Sequence, residues 1–503
     1  MYFDADSSHI GKARYGLIVL AALVATLALF EASGYVVQAA ARYAVGVFDA
    51  SRFAPESSIT ELAEIAQRGL LASLTVFLLL FAWSQVERFS VPRRALLVGA
   101  AWGTSIGAAH WLVSRAYMNI IDPHFFDFVC CFYLGGKVAA GGLNFYDPSN
   151  YLAVFAGLDL PFTPGSHFFE AEDLGDLETG FLYPAPTMLY FVLLGFFDLT
   201  AAQIIWAVVS GIVLAADVVL LRRIFFPNAS TMALPLVAAL CLLSPAAYRT
   251  VFFQQTTFIV LLTLLLCWQA RNSAKAGAWA AIAMFTKPFM GILGGWLLLR
   301  KQWRGLLVLG VTVIAICIVT IVIFDASTFF SYFTNNSVRR LNNIVYVERP
   351  NQSLLATVLR LTDYHFTYTS PLLHPAFIVT ATLLGLITVY LVYRLSEQDS
   401  QLTLALSVVF ALLVYPATWS HLSLLLIPAI LLLYNSLREL GTRDWIAPAF
   451  AAAIYAVMQV SPFTANLLVW AALVLLCTAR LVNAQQLPAA LRWRRQIRQD
   501  RAS

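Results

Sequence analysis

Composition, the length of the apolar runs and the placement of positive charge together predict an all-α polytopic membrane protein with about 13–14 transmembrane helices. Of 503 residues, 60% are hydrophobic and 12% charged, and the mean hydropathy is +0.76, so lipid is the expected main solvent. Gly305–Phe324 carries no charge over the roughly 20 residues a helix needs to cross about 30 Å of hydrocarbon. Lys and Arg fall mainly in short connections, as cytoplasmic loops require. The net charge of +5 is scattered rather than gathered on one face, which argues against nucleic acid as a partner.

Lys12 and Arg14 precede the first apolar run, Gly16–Val37. Ala39–Ala41 resembles a signal-peptidase site, but the run is longer than a usual signal core and reads as an uncleaved anchor. With Gly69–Trp83 it makes an N-terminal hairpin, joined by the polar stretch Arg42–Arg68. Further spans are expected at Ala95–Val113, Ala201–Leu221, Thr231–Tyr248, Thr256–Trp268, Ala276–Phe285 and Phe289–Leu299. Gly305–Phe324, Ala376–Tyr393, Leu402–Tyr415, Leu422–Tyr434, Trp445–Val460 and Ala465–Ala479 follow.

Two segments set the parity. Tyr183–Asp198 is apolar but short and opens on Tyr-Pro-Ala-Pro, so it is expected to dip into the outer interface. Lys287-Pro288 interrupts Ala276–Leu299, and proline breaks helical hydrogen bonding, which predicts a tight hairpin of two short helices. With these choices the loops holding Arg88, Arg222, Arg271, Arg300, Arg394 and Arg438 lie inside, as do both termini of a multi-pass plasma-membrane protein. The two long segments, Ser114–Gly180 and Asp325–Pro375, then share the outer side. The six cysteines lie singly or as the pair Cys130 and Cys131, without CxxC spacing or a His/Cys cluster, so neither a metal nor a disulfide framework is indicated.

The first long segment contains Asp122-Pro123-His124-Phe125-Phe126-Asp127-Phe128, Gly135-Gly136-Lys137 and Asn144-Phe145-Tyr146-Asp147-Pro148. Carboxylates beside aromatics suit sugar chemistry, because an acceptor hydroxyl must lose a proton as it attacks an anomeric carbon. Asp122 and Asp147 precede prolines, and turn capping is the plainer role for both; Asp127 has no such role. Lys287, Arg249, Arg339, Arg340, Arg349 and Arg360 are the candidate cations for holding an anionic group beside these segments. A lysine within an apolar segment is costly unless paired, so Lys287 is read as functional against the alternative of snorkelling. His421 opens a span and is placed to hydrogen-bond an acceptor or a phosphate, against a purely structural role.

The D-F-x-x-x-F pattern from Asp127 to Phe132, followed by Gly135-Gly136 and Asn144-Phe145-Tyr146-Asp147-Pro148, resembles the first outer loop of family-87 glycosyltransferases. That family is the polyprenol-phosphate-mannose-dependent branch of the GT-C superfamily. Further matches run in order through Phe181-Leu182-Tyr183-Pro184-Ala185-Pro186, Gln255, Lys287-Pro288, Asn351-Gln352-Ser353-Leu354 with Arg360, and Trp419-Ser420-His421. The resemblance implies a GT-C-like fold and inverting transfer of a hexose, expected to be mannose, from a polyprenyl-phosphate donor to a lipid or glycan acceptor. Asp127 matches the catalytic aspartate; Lys287, Arg360 and Arg249 are expected to hold donor phosphate, and Gln255, Asn351, Gln352, His421 and Tyr183 to contact substrate. No cofactor or metal is implied, and membrane lipids are the surrounding partners.

The resulting regions are 1–94, an N-terminal membrane hairpin and polar loop; 95–434, a GT-C-like catalytic membrane domain; 435–480, C-terminal helices; and 481–503, a basic cytoplasmic tail. Within the catalytic domain, loop 114–180 is expected to be catalytic and loop 325–375 to bind substrate. The chain departs from the family at Cys131-Phe132, often Tyr-Tyr; at Gln254-Gln255, usually Gly-Gln; and at Leu422, often a second His. These changes are expected to alter polar contacts with sugar hydroxyls. A lipid-linked glycan transporter or flippase would carry more charge inside its spans than Glu31, Asp217 and Lys287. An O-antigen ligase or polymerase-like protein would use a diphosphate donor and would not require the Asp127 motif.

Overall fold

The computed structural model describes residues 18–22, 71–121, 127–158, 181–229, 233–334, 351–362 and 371–486. Asp122, Arg339, Arg340, Arg349, the loop 42–68 and most of the first expected span lie outside them. Helix α1 (Leu71–Ser84) and the long α2 (Val91–Ile121) lead to a π-helical turn, Phe128–Tyr133, and to short helices α3 (Leu134–Ala140) and α4 (Pro148–Gly157). Two 3-10 turns, Ala185–Tyr190 and Leu194–Phe196, precede α5 (Leu199–Phe225), α6 (Ala233–Leu242), α7 (Pro245–Phe252) and α8 (Thr257–Gln269). Next come α9 (Lys275–Thr286), α10 (Ile292–Leu299), α11 (Trp303–Phe324) and α12 (Ala326–Thr334). The last are α13 (Leu354–Leu361), α14 (Pro375–Leu395), α15 (Ser400–Val414), α16 (Ile427–Glu439), α17 (Ile446–Val460) and α18 (Pro462–Gln486).

The protein is all-α and polytopic. Among the described residues six helices are long and apolar enough to cross a membrane, or seven when α6 and α7, bent by 60°, count as one span. The bend falls at Ser244-Pro245, where proline stands at the first position of α7 and starts a new helix instead of continuing the old one. Other expected spans appear as apolar helices of 10–17 residues, among them α1, α8, α15 and α17.

Several boundaries differ from expectation: α18 runs to Gln486 and not Ala479, and the span expected over Thr231–Tyr248 is split into α6 and α7. Helix α2 does not stop at Val113 but continues to Ile121. Its extension is held because Asn119, buried near its end, donates through Nδ2 to the carbonyls of Val251 and Phe252 at 3.0 and 3.1 Å, adding a side-chain donor to the last turn of α7. The segment Tyr183–Asp198 is not a long helix; it folds as the two 3-10 turns, with Ala185, Pro186, Thr187 and Met188 buried.

The Lys287-Pro288 break does produce a hairpin. Lys287 is extended (φ −145°, ψ 117°) between α9 and the 3-10 turn before α10. At the far end Arg300, just after α10, donates to the carbonyl of Arg271, just before α9, at 2.8 Å, so the two short helices return to one level. Arg300 also reaches the Ser396 carbonyl at 3.0 Å, and Arg88 pairs with Asp444 at 3.0 Å. The loops that hold Arg271 and Arg300 thus meet, as do those that hold Arg88 and Arg443, and Asn144 Nδ2 donates to Ser331 Oγ at 2.9 Å, joining described parts of the two long segments.

Glycines set two close approaches. A Cβ on Gly136 of α3 would stand 2.5 Å from the Phe191 carbonyl oxygen, and one on Gly195 would run into the backbone of Gly136, so α3 and the second 3-10 turn touch main chain to main chain. Lower in the bundle, a Cβ on Gly277 of α9 would collide with the Gly305 carbonyl of α11. Small residues permit such contact where lipid provides no hydrophobic drive between helices.

Candidate active site

Four expected site residues converge at the end where the long segments meet. Tyr183 comes from the chain before the first 3-10 turn, Gln255 from the start of α8, Lys287 from the tip of the α9–α10 hairpin, and Asp127 from the start of the π-helical turn. Lys287 Nζ donates to Tyr183 Oη at 3.0 Å and to Gln255 Oε1 at 3.1 Å, and Gln255 Nε2 donates to Asp127 Oδ2. The orientation of the Gln255 amide follows from its neighbours, since an ammonium can only donate and a carboxylate can only accept. Lys287 also sits 4.3 Å from the centre of the Tyr183 ring. Burial raises the Asp127 carboxyl above its ordinary value of 3.8, while the Lys287 charge and the Gln255 hydrogen bond pull it back down.

Each of these side chains is positioned by its own segment. Tyr146 Oη donates to the Tyr183 carbonyl at 2.6 Å. Thr187 Oγ1 donates to the Phe285 carbonyl at 2.6 Å, and Tyr190 Oη lies 3.0 Å from Thr286 Oγ1, tying the 3-10 turn to the end of α9 just before Lys287. Gln255 is aimed by the C-terminal cap of α7: its amide donates to the Thr250 carbonyl at 2.9 Å and that of Gln254 to Val251 at 3.2 Å, the Schellman pattern. Gln254 occupies the left-handed position of that cap at φ 51°, and Trp206 Nε1 holds its carbonyl at 2.8 Å. The departure at Gln254 thus bears on backbone conformation, because glycine is the residue that adopts this region without strain.

A second group of expected residues docks the other long segment. Asn351 is fully buried; its Nδ2 donates to the Pro416 carbonyl at 2.7 Å and its Oδ1 accepts from Ser353 N at 3.1 Å. Gln352 N donates to the Thr418 carbonyl at 2.6 Å, an antiparallel bridge joins Asn351 to Trp419, and Arg360 Nη1 donates to the Asn351 carbonyl at 2.9 Å. Asn351, Gln352 and Arg360 therefore brace the strand-like piece that leads into His421.

His421 lies nearer to that cluster. It is buried, with Phe253 beside it at 6.4 Å between ring centres, and both ring nitrogens lack hydrogen-bond partners among the described residues. Lys287 and Arg249 stand close enough for their charges to act on it. Arg249 Nη2 donates to the Gln459 carbonyl at 3.3 Å, while its buried Nη1 has no partner among the described residues.

Asp147 takes the capping role expected of it. It is the N-cap of α4 and accepts from Ser149 N at 3.0 Å and from Ser149 Oγ at 2.7 Å. The described aromatics around the site serve packing: Phe132 stacks on Phe191 at 4.2 Å, Phe145 meets Phe181 edge-on at 5.5 Å, and all four are buried. Trp206, Thr250 and Tyr146 were not anticipated, since they act through backbone groups, which a residue pattern does not display.

With a carboxylate, a cation and a bridging amide in one hydrogen-bonded chain, the comparison with known families becomes informative. Residues 181–416 match glycosyltransferase family 87. The match carries glycosyltransferase as the enzyme class. No curated protein and no solved structure matches the chain. The family-87 stretch contains Tyr183, Arg249, Gln255, Lys287, Asn351, Gln352 and Arg360, and it begins after Asp127 and ends before His421. The fold joins what the match leaves out: Asp127 is bonded to Gln255, and His421 follows directly on the strand-like piece braced by Asn351 and Gln352.

Proposed function

We propose that this protein transfers a hexose, mannose by the resemblance noted above, from a polyprenyl-phosphate sugar to a lipid or glycan acceptor on the outer face of the plasma membrane, with inversion at the anomeric carbon. The observation that carries the reading is the hydrogen-bonded sequence Tyr183–Lys287–Gln255–Asp127. In a single displacement the acceptor oxygen attacks the anomeric carbon, Asp127 takes its proton, and the bond from carbon to phosphate oxygen breaks, with the electron pair leaving on the polyprenyl phosphate. Lys287, with Arg249 across His421, supplies positive charge toward which that anion develops. Arg360 contributes to donor binding through the piece it braces. Asp127 is suited to the base role because burial raises its basicity while Lys287 and Gln255 offset part of that rise.

The outer placement rests on the positive-inside rule applied to the basic end of the bundle. The test is transfer by purified protein in lipid, supplied with polyprenyl-phosphate mannose or its glucose counterpart and a glycolipid acceptor, with products read by mass spectrometry and the anomeric configuration by NMR. Mannosylated product of inverted configuration is expected. Activity confined to nucleotide sugars or to diphosphate-linked donors would overturn the proposal.

A further inference from the structure

The π-helical turn after Asp127 holds a second feature, which the catalytic reading does not use. One carboxylate oxygen of Asp127 and the sulfurs of Cys130 and Cys131 all lie within 4.8 Å of one another, and the two sulfurs are 3.4 Å apart. Both cysteines are buried, at 4% and 5% exposure, and Asp127 reaches the surface. The spacing depends on the turn. A π-helix closes i→i+5 and is wider than an α-helix, so neighbouring residues diverge less around its axis and their side chains share one side. The remaining cysteines, Cys241, Cys267, Cys317 and Cys477, lie singly in other helices.

We propose that Asp127, Cys130 and Cys131 form a binding site for a soft divalent cation, with zinc the best fit, and that its occupation inhibits transfer by taking Asp127 away from the acceptor proton. Zinc binds thiolate sulfur at about 2.3 Å and carboxylate oxygen at about 2.0–2.2 Å, so ligands around one ion stand roughly 3–4 Å apart. The two sulfurs, 3.4 Å apart, already meet that condition, and the carboxylate oxygen lies within 4.8 Å of both. Two thiolates select zinc or cadmium over magnesium or manganese, which prefer all-oxygen sites. Gln255 donates to Asp127 Oδ2, and a carboxylate has a second oxygen able to bind an ion. Binding would release the two thiol protons. The ion with two thiolates and a carboxylate carries one net negative charge, and Lys287, whose charge interacts with both Asp127 and Cys131, balances it.

The inhibitory half rests on Asp127 acting as base; the binding half does not. The full chain in lipid is titrated with cadmium, whose thiolate complexes absorb in the ultraviolet. A saturable band at one ion per chain, with release of about two protons, is expected, and Cys130→Ser/Cys131→Ser should lose it. The single variants Cys130→Ala and Cys131→Ala, each expected to weaken binding at least tenfold, serve should the double variant fold poorly. Zinc should lower wild-type turnover tenfold or more, reversibly with a chelator, and leave a serine variant's turnover unchanged. No band in the wild type, a band that persists without both cysteines, or equal zinc inhibition of wild type and variant would each overturn the site. A normal band with undiminished turnover would overturn the inhibition alone, and that outcome is separate from the metal-free assay of Asp127.

Discussion

Lys287 reaches Asp127 through the amide of Gln255, which accepts from the lysine at 3.1 Å and donates to the aspartate. The amide couples carboxylate and cation without pairing them directly: a direct ion pair would set the ammonium against the carboxylate, whereas the bridge gives each a neutral amide partner.

Replacing Asp127 with Asn is therefore expected to abolish general-base catalysis, a loss of about 10²–10⁴-fold in kcat, while donor binding survives. Turnover and donor affinity measured side by side check it, and near-normal turnover would reject Asp127 as base. Asp147→Asn is the control, since a cap contributes about 1 kcal/mol to stability and nothing to proton transfer.

Lys287→Ala should weaken donor use roughly tenfold to a hundredfold, the value of a charge-assisted contact of about 1.5–3 kcal/mol. Arg360→Ala should weaken it less, because its guanidinium braces the Asn351 carbonyl. A pH profile adds a second readout. The Asp127 carboxyl is raised by burial and held down by Lys287, so removing the lysine lets it rise further. The base works when deprotonated, and the acid limb of kcat, measured with a chelator present, should move to higher pH. An unmoved limb would separate the two residues.

Gln254→Gly should stabilise the protein. A non-glycine residue in the left-handed region costs about 1–2 kcal/mol, of which glycine's greater freedom in the unfolded chain returns about 0.5–1 kcal/mol. Melting in detergent should show a small rise with donor specificity unchanged; a switch in the preferred sugar would mean that the Gln254 side chain meets the donor.

Gly136→Ala is expected to do the opposite, forcing α3 away from the Phe191 carbonyl at a cost of about 1–3 kcal/mol. A lower melting temperature with the wild-type KM for donor in the surviving fraction is the expected result, and an unchanged melt would show that the contact yields.

Sidedness can be read by labelling. A cysteine placed at Ser149 should react with an impermeant maleimide on intact cells, and one at Thr442 only after permeabilisation. The reverse pattern would put the site on the cytoplasmic face.

Much of this architecture was legible because lipid demands long apolar runs and the short loops carry arginine; the Lys287-Pro288 hairpin and the Asp147 cap were visible for the same kind of local reason. The extension of α2 was not, since it depends on Asn119 finding the end of α7 far along the chain. Asp127, Gln255, Lys287 and Tyr183 were each picked as single residues, but their order in one hydrogen-bonded chain was hidden because four separate segments supply it. Asn351 was picked for a substrate contact, and its buried bonds to the Pro416 carbonyl and Ser353 N were not legible, since they depend on a segment far along the chain. Cys130 and Cys131 show neither CxxC spacing nor a His/Cys cluster, and their nearness to Asp127 belongs to the fold of the π-helical turn, which the sequence does not display.

Helix α11 is almost wholly uncovered by the rest of the protein; Leu307, Val311, Ile314, Ile318 and Val322 are 56% to 78% exposed along one side. Its partners there are acyl chains, which do not distinguish Leu from Ile or Val. Those positions are free to drift among aliphatic residues over evolutionary time, while Gly277 of α9, whose Cβ would run into the Gly305 carbonyl of α11, is not. A comparison of divergent homologues should thus find an apolar but variable stripe on α11 facing a fixed glycine on α9, and the stripe's overall length, more than its lettering, should follow the thickness of the host membrane.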